Sequence, residues 1–352
     1  MNGMLRALPH TLGFLLPLAL YAGVQFGGLW TLLPVGLLLG VLPIVDWIGG
    51  LNLRNPEQDE PELSANPWFR AITWAWVPVQ YVMILWAASV VSSQHLTVAE
   101  LVGLTLSTGI VAGTIGITFA HELVHRPGTL ELALGEILLT STSYTHFAIE
   151  HVYGHHRRVG TLEDPATARF GESLYWFIPR CVVGSVASAW GFEVERLAKR
   201  QRGPWHPSNR MLRYAATQVA WYCGLVWLFG ARAALFVAAQ AAVAFALLET
   251  INYIEHYGLE RALIAPGRYE RIAPWHSWNS SHRVSNWLLI NLARHSDHHL
   301  VASKRYQVLA HVDEAPQLPA GYGTMFLAAL CPPVWRRLMN PRVLAWRAQH
   351  GR

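Results

Sequence analysis

The chain has 352 residues, of which 52% are hydrophobic and 14% are charged, and its formal net charge is +5. Soluble domains carry about 25% charged residues, so this composition argues against an ordinary soluble enzyme and indicates an integral membrane protein. The three cysteines, Cys181, Cys223 and Cys331, form no CxxC pair. Their spacing excludes a rubredoxin-type or zinc-ribbon module within the chain and argues against a disulfide framework. No nucleic-acid partner is expected.

Long runs without charged residues or histidine predict the membrane spans. They cover residues 11–45, 71–94, 101–120, 214–231 and 233–248. A span needs roughly 20 apolar residues, and the first run would be about 52 Å long as one helix, so we expect it to break at Val24–Gly28. A buried core helix is the alternative for any single run, but it explains the whole set poorly. No cleavable signal peptide is expected, because the run from Thr11 continues without a cleavage context.

The resulting fold class is an all-α integral membrane protein with six transmembrane helices and a cytoplasmic helical cap. We predict spans at about 11–25, 29–46, 71–92, 100–120, 213–231 and 233–250. The segment after the fourth span is rich in arginine and lysine, whereas the loops after the odd spans are nearly free of them, so the positive-inside rule places that segment in the cytoplasm. The polar segments at about 121–212 and 251–352 then lie on one face and complete a single domain, 1–352.

The first polar motif, HELVH, ends the fourth predicted span. His121 and His125 lie four residues apart on one helix face, and Glu122 beside them could serve as a general base, which is the pattern of a zinc protease. A zinc protease uses one ion and three protein ligands. It would leave the other histidine clusters of this chain unexplained, so we disfavour a protease.

Nine histidines fall in four compact groups. They are His121 and His125; His151, His155 and His156; His256; and His295, His298 and His299. Residues three or four apart share a helix face, so we expect His121 with His125, His151 with His155, and His295 with His299 each to bind one metal. His156 and His298 are rotated away from those faces and can serve a second metal.

The number of imidazoles argues for two metal ions, since one ion takes four to six ligands. Imidazole suits zinc, copper, iron and nickel. Iron fits best with a site at the end of a hydrophobic helix bundle, where an apolar substrate would arrive. A histidine-rich metal transporter is the alternative from a different class, but transporters bind their cargo near the bilayer midplane, whereas these histidines lie at span ends.

Four segments carry a resemblance to a known family. They are HELVHR (121–126), which corresponds to the family's first histidine box; EHVYGHHRRVGTLEDPA (150–166), which corresponds to the second box; NYIEHYGL (252–259), with the single His256; and HSWNSSHRVSNWLLINLARHSDHH (276–299), which carries the third box. The loop DWIGGLNLRNPE (46–57) adds to it. Together they resemble the integral-membrane alkane 1-monooxygenases, the non-haem di-iron alkane ω-hydroxylases of the membrane desaturase and hydroxylase superfamily. The resemblance covers about residues 30 to 345.

The resemblance implies a cytoplasmic di-iron site in the inner membrane that hydroxylates the terminal methyl group of alkanes with O2. It implies electrons from a reduced rubredoxin, itself reduced by rubredoxin reductase and NADH. All nine box histidines would then be iron ligands, and His276 and His282 would be structural or support the ligands. The segment VGTLEDPA and Arg126 depart from the commoner family pattern. Aryl-methyl (xylene-type) hydroxylation and fatty-acyl desaturation or hydroxylation therefore stay open as alternatives.

Three further sets of residues are candidates for roles around the iron site. Glu122, Glu150, Glu255 and Asp297 each adjoin a predicted ligand and could offset the charge of the metals or orient an imidazole. Leu38, about two turns before Asp46, is a candidate for the lining of a substrate channel open to membrane lipid. Candidate cations for docking an acidic electron donor adjoin the second and third boxes, and they are Arg157, Arg158, Lys304 and Arg305.

Overall fold

A computed structural model describes residues 3–56 and 60–351. Residues 57–59, within the loop that follows the second predicted span, lie outside the described residues. The α-helices are α1 (Gly3–Ala7), α2 (Leu15–Phe26), α3 (Leu33–Gly36), α4 (Leu42–Gly49), α5 (Glu60–Ala65), α6 (Pro67–Ser93), α7 (Val98–Val111), α8 (Thr118–Val124), α9 (Thr129–Ser141), α10 (Phe147–Ile149), α11 (His156–Arg158), α12 (Leu174–Ala198), α13 (Arg210–His256), α14 (Arg283–Leu288), α15 (His295–Leu300), α16 (Tyr322–Ala329) and α17 (Pro332–Gln349).

Short 3-10 and π-helical segments join several of these helices. The 3-10 segments are Leu8–Phe14, Gly28–Leu32, Pro274–His276 and Tyr306–Val308, and the π-helical segments are Leu37–Val41, Ala112–Ile117 and Glu150–His155. Two short antiparallel strands, β1 (Leu263–Ala265) and β2 (Arg268–Tyr269), form a hairpin. The protein is therefore mainly helical, as the sequence predicts.

Within the described residues, five continuous helical stretches are long and apolar enough to cross a membrane. They are Gly3–Phe26, Gly28–Gly49, Glu60–Ser93, Val98–Val124 and Arg210–His256, here called the first to fifth apolar helices. The predicted break in the first run is confirmed, because the first apolar helix ends at Phe26 and Gly27 has a φ of 69°. Only glycine adopts that backbone conformation without strain.

The fifth apolar helix contains both of the last two predicted spans. It has 47 residues, and Gly230 interrupts it with a φ of 81° and a ψ of 169°. The fourth and fifth apolar helices also extend beyond the predicted span ends, to Val124 and His256, so that His121 and His256 belong to these helices and not to the segments that follow them.

Close packing of the fourth apolar helix against the fifth brings their histidine-bearing ends together. A Cβ at Gly109 would lie 2.6 Å from the Gln240 carbonyl oxygen, and one at Gly113 would lie 2.8 Å from the Ala244 carbonyl oxygen. Small residues four apart let two helix backbones approach this closely within a membrane. The two glycines thus set the distance between the helices that carry His121 and His256.

The end of the second apolar helix is tied to the segment before the third histidine box. Asp46 is buried, and its carboxylate accepts hydrogen bonds from the backbone N–H of Ser285, at 2.8 Å, and from the Ser285 hydroxyl. The sequence places Asp46 at the polar end of this span, but the helix continues for another turn to Gly49. Burial of Asp46 fixes α14 against the second apolar helix and encloses one side of the site.

Candidate metal centre

The structure brings all nine box histidines together in two adjacent groups. A five-histidine group contains His121, His125, His151, His156 and His298, and a four-histidine group contains His155, His256, His295 and His299. Within each group, the candidate ligand atoms lie within 4.8 Å of one another. Each group thus has the composition and size of a site for one metal ion.

The grouping of the histidines follows the predicted helix spacing in the first and third boxes but not in the second box. His121 and His125 share one group, His295 and His299 share the other, and His298 is turned away to the first group. The prediction that His151 and His155 bind the same ion is wrong. Residues Glu150–His155 form a π-helix, whose hydrogen bonds span five residues, so the Nε2 atom of His151 meets that of His156, five residues later, whereas His155 belongs to the other group.

The nitrogen–nitrogen distances fit metal coordination. The Nε2 atom of His156 lies 3.1 Å from those of His151 and His298, and the Nε2 atom of His295 lies 3.1 Å from that of His256 and 2.9 Å from that of His299. Two nitrogens bound at about 2.1 Å and at right angles around one ion are about 3.0 Å apart. Buried Nε2 atoms of His125 and His155 have no hydrogen-bond partner among the described residues.

Electrostatics favour neutral imidazoles in the five-histidine group. Burial and the neighbouring histidines hold the pKa of His151 well below its usual range. A metal-binding imidazole must be neutral, so this environment suits coordination.

His155 of the four-histidine group has a carboxylate partner that sequence reasoning did not single out. Its Nδ1 lies 2.9 Å from Asp164 Oδ2, and both side chains are fully buried. Burial acts to lower the pKa of His155, but Asp164, with smaller contributions from Glu150 and Glu255, raises the pKa above its ordinary value. Thr167 Oγ1 and the Ala166 N–H also donate to Asp164. The available signal was the acidic-Pro turn that ends the second box segment.

The four predicted supporting carboxylates behave differently from one another. Glu255 lies 3.3 Å from His295 Nε2 and accepts a hydrogen bond from the Tyr322 hydroxyl. In the described part of the chain, each of the other three pairs with a cation, and no contact to a box histidine is found for them. These pairs are Glu122 with Arg126 at 3.3 Å, Glu150 with Arg158 at 3.0 Å, and Asp297 with Lys304 at 2.9 Å.

An apolar cavity of about 100 Å³ reaches both histidine groups. Leucine and isoleucine side chains from the second, fourth and fifth apolar helices line most of it, together with Leu288, Leu289 and Leu292. At its polar end lie His121 and His151 of one group and His295 of the other. Leu38 lies in the lining, within the π-helical segment Leu37–Val41, and Phe326 of α16 contributes an aromatic ring.

The predicted docking cations differ in exposure and in whether they already form an ion pair. Arg157 is exposed and lines a polar cleft of about 610 Å³ with Lys199 and Arg213. Arg158 and Lys304 form the ion pairs given above, and Arg305 lies 3.2 Å from Glu131.

Two other histidines of the third-box segment lie outside both groups. His276 Nε2 lies 3.0 Å from Glu270 Oε1, and His282 Nδ1 shares a hydrogen bond with the Ser280 hydroxyl. These contacts are those of residues that support the local structure.

Comparison with known proteins gives a consistent set of relatives. The fatty acid desaturase family matches residues 96–329. Alkane 1-monooxygenase 2 of Pseudomonas aeruginosa is 41% identical over 331 residues, which are 93% of this chain and 87% of that protein. The alkane 1-monooxygenase of Acinetobacter baylyi is 39% identical over 304 residues, 86% of this chain and 74% of its own length. The hydroxylase component of a xylene/toluene monooxygenase from Pseudomonas putida is 31% identical over 254 residues, 72% of this chain and 67% of that protein.

Proposed function

The chain belongs to the fatty acid desaturase family, and within it to the alkane 1-monooxygenases, and we propose from this that it hydroxylates the terminal methyl group of alkanes with O2. One observation carries the proposal: an apolar cavity inside a bundle of membrane helices ends at two groups of histidines. In this reaction one oxygen atom enters the alcohol, and the other leaves as water after the uptake of two electrons and two protons.

The metals proposed are two iron ions. The five-histidine group would hold one ion and the four-histidine group the other, and Glu255, 3.3 Å from His295 Nε2, is placed to compensate part of their charge. When bound, the iron supplies the activation of O2 and the attack on the strong methyl C–H bond, which no amino-acid side chain can perform. The five-histidine group favours neutral imidazoles, and in the described residues three of the four predicted carboxylates pair with cations, so an ion bound in that group would keep most of its positive charge.

The protein's own residues bind and position the alkane and exclude water. An alkane offers no polar group, so its binding depends on burial, which contributes roughly 0.8 kcal/mol per CH2 group. The leucine-rich lining of the cavity provides that burial, and His121, His151 and His295 belong to the same lining, where one end of a bound alkane would meet them. Leu38 lies in the lining, where its bulk would limit the length of chain that fits.

We propose that the chain crosses the membrane six times. At 1.5 Å per residue a continuous 47-residue helix would be about 70 Å long, more than twice the roughly 30 Å hydrocarbon core. A reversal of the chain at Gly230, where the backbone is non-helical, would divide it into two lengths suited to one crossing each. The arginine- and lysine-rich segment before Arg210 supports a cytoplasmic site in the inner membrane. In this topology, residues 1–352 form one domain.

The electron donor is proposed to be a rubredoxin, with rubredoxin reductase and NADH upstream. The chain has no CxxC pair for an iron–sulfur centre of its own, so electrons must come from another protein. Arg157 follows His156 directly and shares an open cleft with Lys199 and Arg213, where it could attract an acidic donor. Arg158, Lys304 and Arg305 stay candidates, but their ion pairs with Glu150, Asp297 and Glu131 reduce the charge that they can offer.

Product analysis tests the proposed activity. Membranes containing the protein, rubredoxin, rubredoxin reductase and NADH are supplied with octane, p-xylene or an acyl thioester in parallel. We expect 1-octanol as the main product, with 18O from labelled O2. The relative at 31% identity favours aryl-methyl oxidation as the second candidate. Oxidation of p-xylene without octane would move the chain to that activity, and a desaturated acyl product would overturn both.

Metal uptake by intact cells without oxidation of any hydrocarbon would support the transporter alternative. The variant His256→Ala, which lacks one proposed ligand, serves as the inactive control for the octane, p-xylene, acyl thioester and metal-uptake measurements.

A further inference from the structure

Helix α12 has apolar side chains on two opposite faces. Its inner face is buried and includes Phe177, Cys181 and Ala189. On the opposite side, Trp176 and Val183 are exposed to 68% and 69%, and Val186 to 41%. Intervals of seven and three residues place these three side chains on one side of the helix, which we call the outer face of α12. A helix that is apolar on both faces needs a second apolar environment besides the protein core.

The inner face of α12 bridges the two ends of the fifth apolar helix. The rings of Phe177 and Tyr253 lie 5.4 Å apart, and Tyr253 is near the last turn of the fifth apolar helix. Ala189 belongs to a buried cluster with Tyr214, which is near the first turn of the fifth apolar helix. Phe177 and Ala189 are twelve residues apart, or about 18 Å along α12. If Gly230 reverses the chain as proposed above, both ends lie at the same membrane surface, and α12 runs along that surface.

We propose that the outer face of α12 is seated in the cytoplasmic leaflet of the lipid bilayer, which makes α12 an interfacial helix. This inference rests on the proposed six-crossing topology. Such helices lie in the membrane plane with their apolar side buried at the boundary between headgroups and acyl chains. Tryptophan is enriched at that depth, and Trp176 is one of the exposed residues of this face.

Two further features identify lipid as the occupant. The fifth apolar helix, whose Tyr214 shares a buried cluster with Ala189 of α12, also has exposed apolar side chains nearby, and Val219 is 63% exposed. Exposed cations follow the C-terminal end of α12 at Arg200 and Arg202. Anionic lipid headgroups attract such cations, at about 1 kcal/mol per Lys or Arg near the surface.

Seating α12 in the membrane would also hold the second histidine box. The inner side of α12 contacts this box directly, because Ser188 hydrogen-bonds both Arg158 and Glu150. A Cβ at Gly154 would lie 2.9 Å from the Phe192 ring. The π-helix that carries His151 and His155 therefore rests on a helix that the bilayer supports from its other side.

Nitroxide labelling of the full chain in lipid vesicles tests the proposal. Val183→Cys is labelled in a background with Cys223→Ser and Cys331→Ser, since these two cysteines are exposed and Cys181 is buried. The vesicles contain phosphatidylcholine and phosphatidylglycerol. Collision of the nitroxide with O2, which concentrates in lipid, is compared with collision with a water-soluble nickel chelate. Val219→Cys provides the lipid control, and Glu195→Cys, exposed on another side of α12, provides the aqueous control.

We expect the label at position 183 to follow the Val219→Cys control, with O2 accessible and the nickel chelate excluded. Nickel accessibility equal to that at Glu195→Cys would overturn the proposal. Low accessibility to both reagents with dipolar broadening would overturn it in favour of a second copy of this chain. Octane hydroxylation by the same samples reports on the proposed activity separately. Nickel accessibility at Val219→Cys would show that the topology is at fault.

Discussion

The carboxylate of Asp164 gives a direct prediction about the four-histidine group. Asp164 and His155 are both fully buried and lie 2.9 Å apart. Asp164→Asn keeps the shape of the side chain and one oxygen, which can still accept from the Ala166 N–H, but it removes the negative charge opposite His155 and places an amide NH2 group beside His155 and Thr167. The substitution therefore isolates the electrostatic and orienting contribution to one proposed ligand.

The expected loss follows from the strength of that contact. Hydrogen bonds to charged groups contribute about 1.5–3 kcal/mol, and tenfold in an equilibrium constant corresponds to about 1.4 kcal/mol. Loss of a hydrogen-bonded partner behind a metal ligand typically lowers metal affinity or activity about 10- to 100-fold. We therefore expect Asp164→Asn to weaken iron binding in the four-histidine group by about 10- to 100-fold.

The assay follows iron per chain during equilibration with increasing chelator, together with octane turnover of the same samples. The variant should lose one of its two irons at a much lower chelator concentration than the unmodified protein, while the other iron is retained. Glu172→Gln is the matched control, since Glu172 also belongs to an ion pair near the second box, 2.7 Å from Arg180, but has no histidine partner among the described residues. Iron retention and turnover of Asp164→Asn equal to those of this control would refute the reasoning.

Four further changes have definite expected outcomes. Leu38→Trp should shift the preference toward shorter alkanes, because it fills the cavity lining; a C6–C16 product series measures this, and the same change at Ile44, exposed on the second apolar helix, should leave the series unchanged. His256→Ala should abolish hydroxylation while the protein still inserts in the membrane, as membrane fractionation and octane turnover would show; near-normal activity would leave His256 a structural residue. Arg157→Glu should raise the rubredoxin concentration for half-maximal turnover at low salt and much less at high salt, and equal values at low salt would place the docking surface elsewhere. Gly113→Val should reduce folded protein and iron content, since even a Cβ would lie 2.8 Å from the Ala244 carbonyl oxygen, and normal thermal stability in detergent would contradict that contact.

Sequence patterns identify most of the fold because each carries a strong local signal. Charge-free runs mark the apolar helices, and the glycine pair at 27–28 marks the turn between the first two. The spacing of four between His121 and His125, and between His295 and His299, places each pair in one group because both boxes are α-helical there. These features depend on neighbouring residues alone, so they can be read without the tertiary structure.

The second box shows why the grouping of the histidines and the partner of His155 could not be predicted without the structure. A π-helical segment has no distinctive periodicity over six residues, so the spacing suggested His151 with His155 when the fold pairs His151 with His156. Asp164 reaches His155 only through the turn that follows the box.

Three of the predicted carboxylates pair with cations four to eight residues further along the chain. Glu122 pairs with Arg126, Glu150 with Arg158 and Asp297 with Lys304. Those cations were visible in the sequence as neighbours of the boxes. Only the structure shows that they form ion pairs with these carboxylates, which stabilise the local fold of the boxes. Glu255, by contrast, is the predicted carboxylate that contacts a histidine.

Metal analysis of the purified, active protein tests the central claim most directly. The account requires one ion in each histidine group, so protein that converts octane to 1-octanol should contain two irons per chain. Turnover should fall in step with iron as it is removed and return when iron alone is restored. One zinc per chain, with no iron bound after reconstitution and no dependence of activity on iron, would contradict both the di-iron site and the proposed hydroxylase.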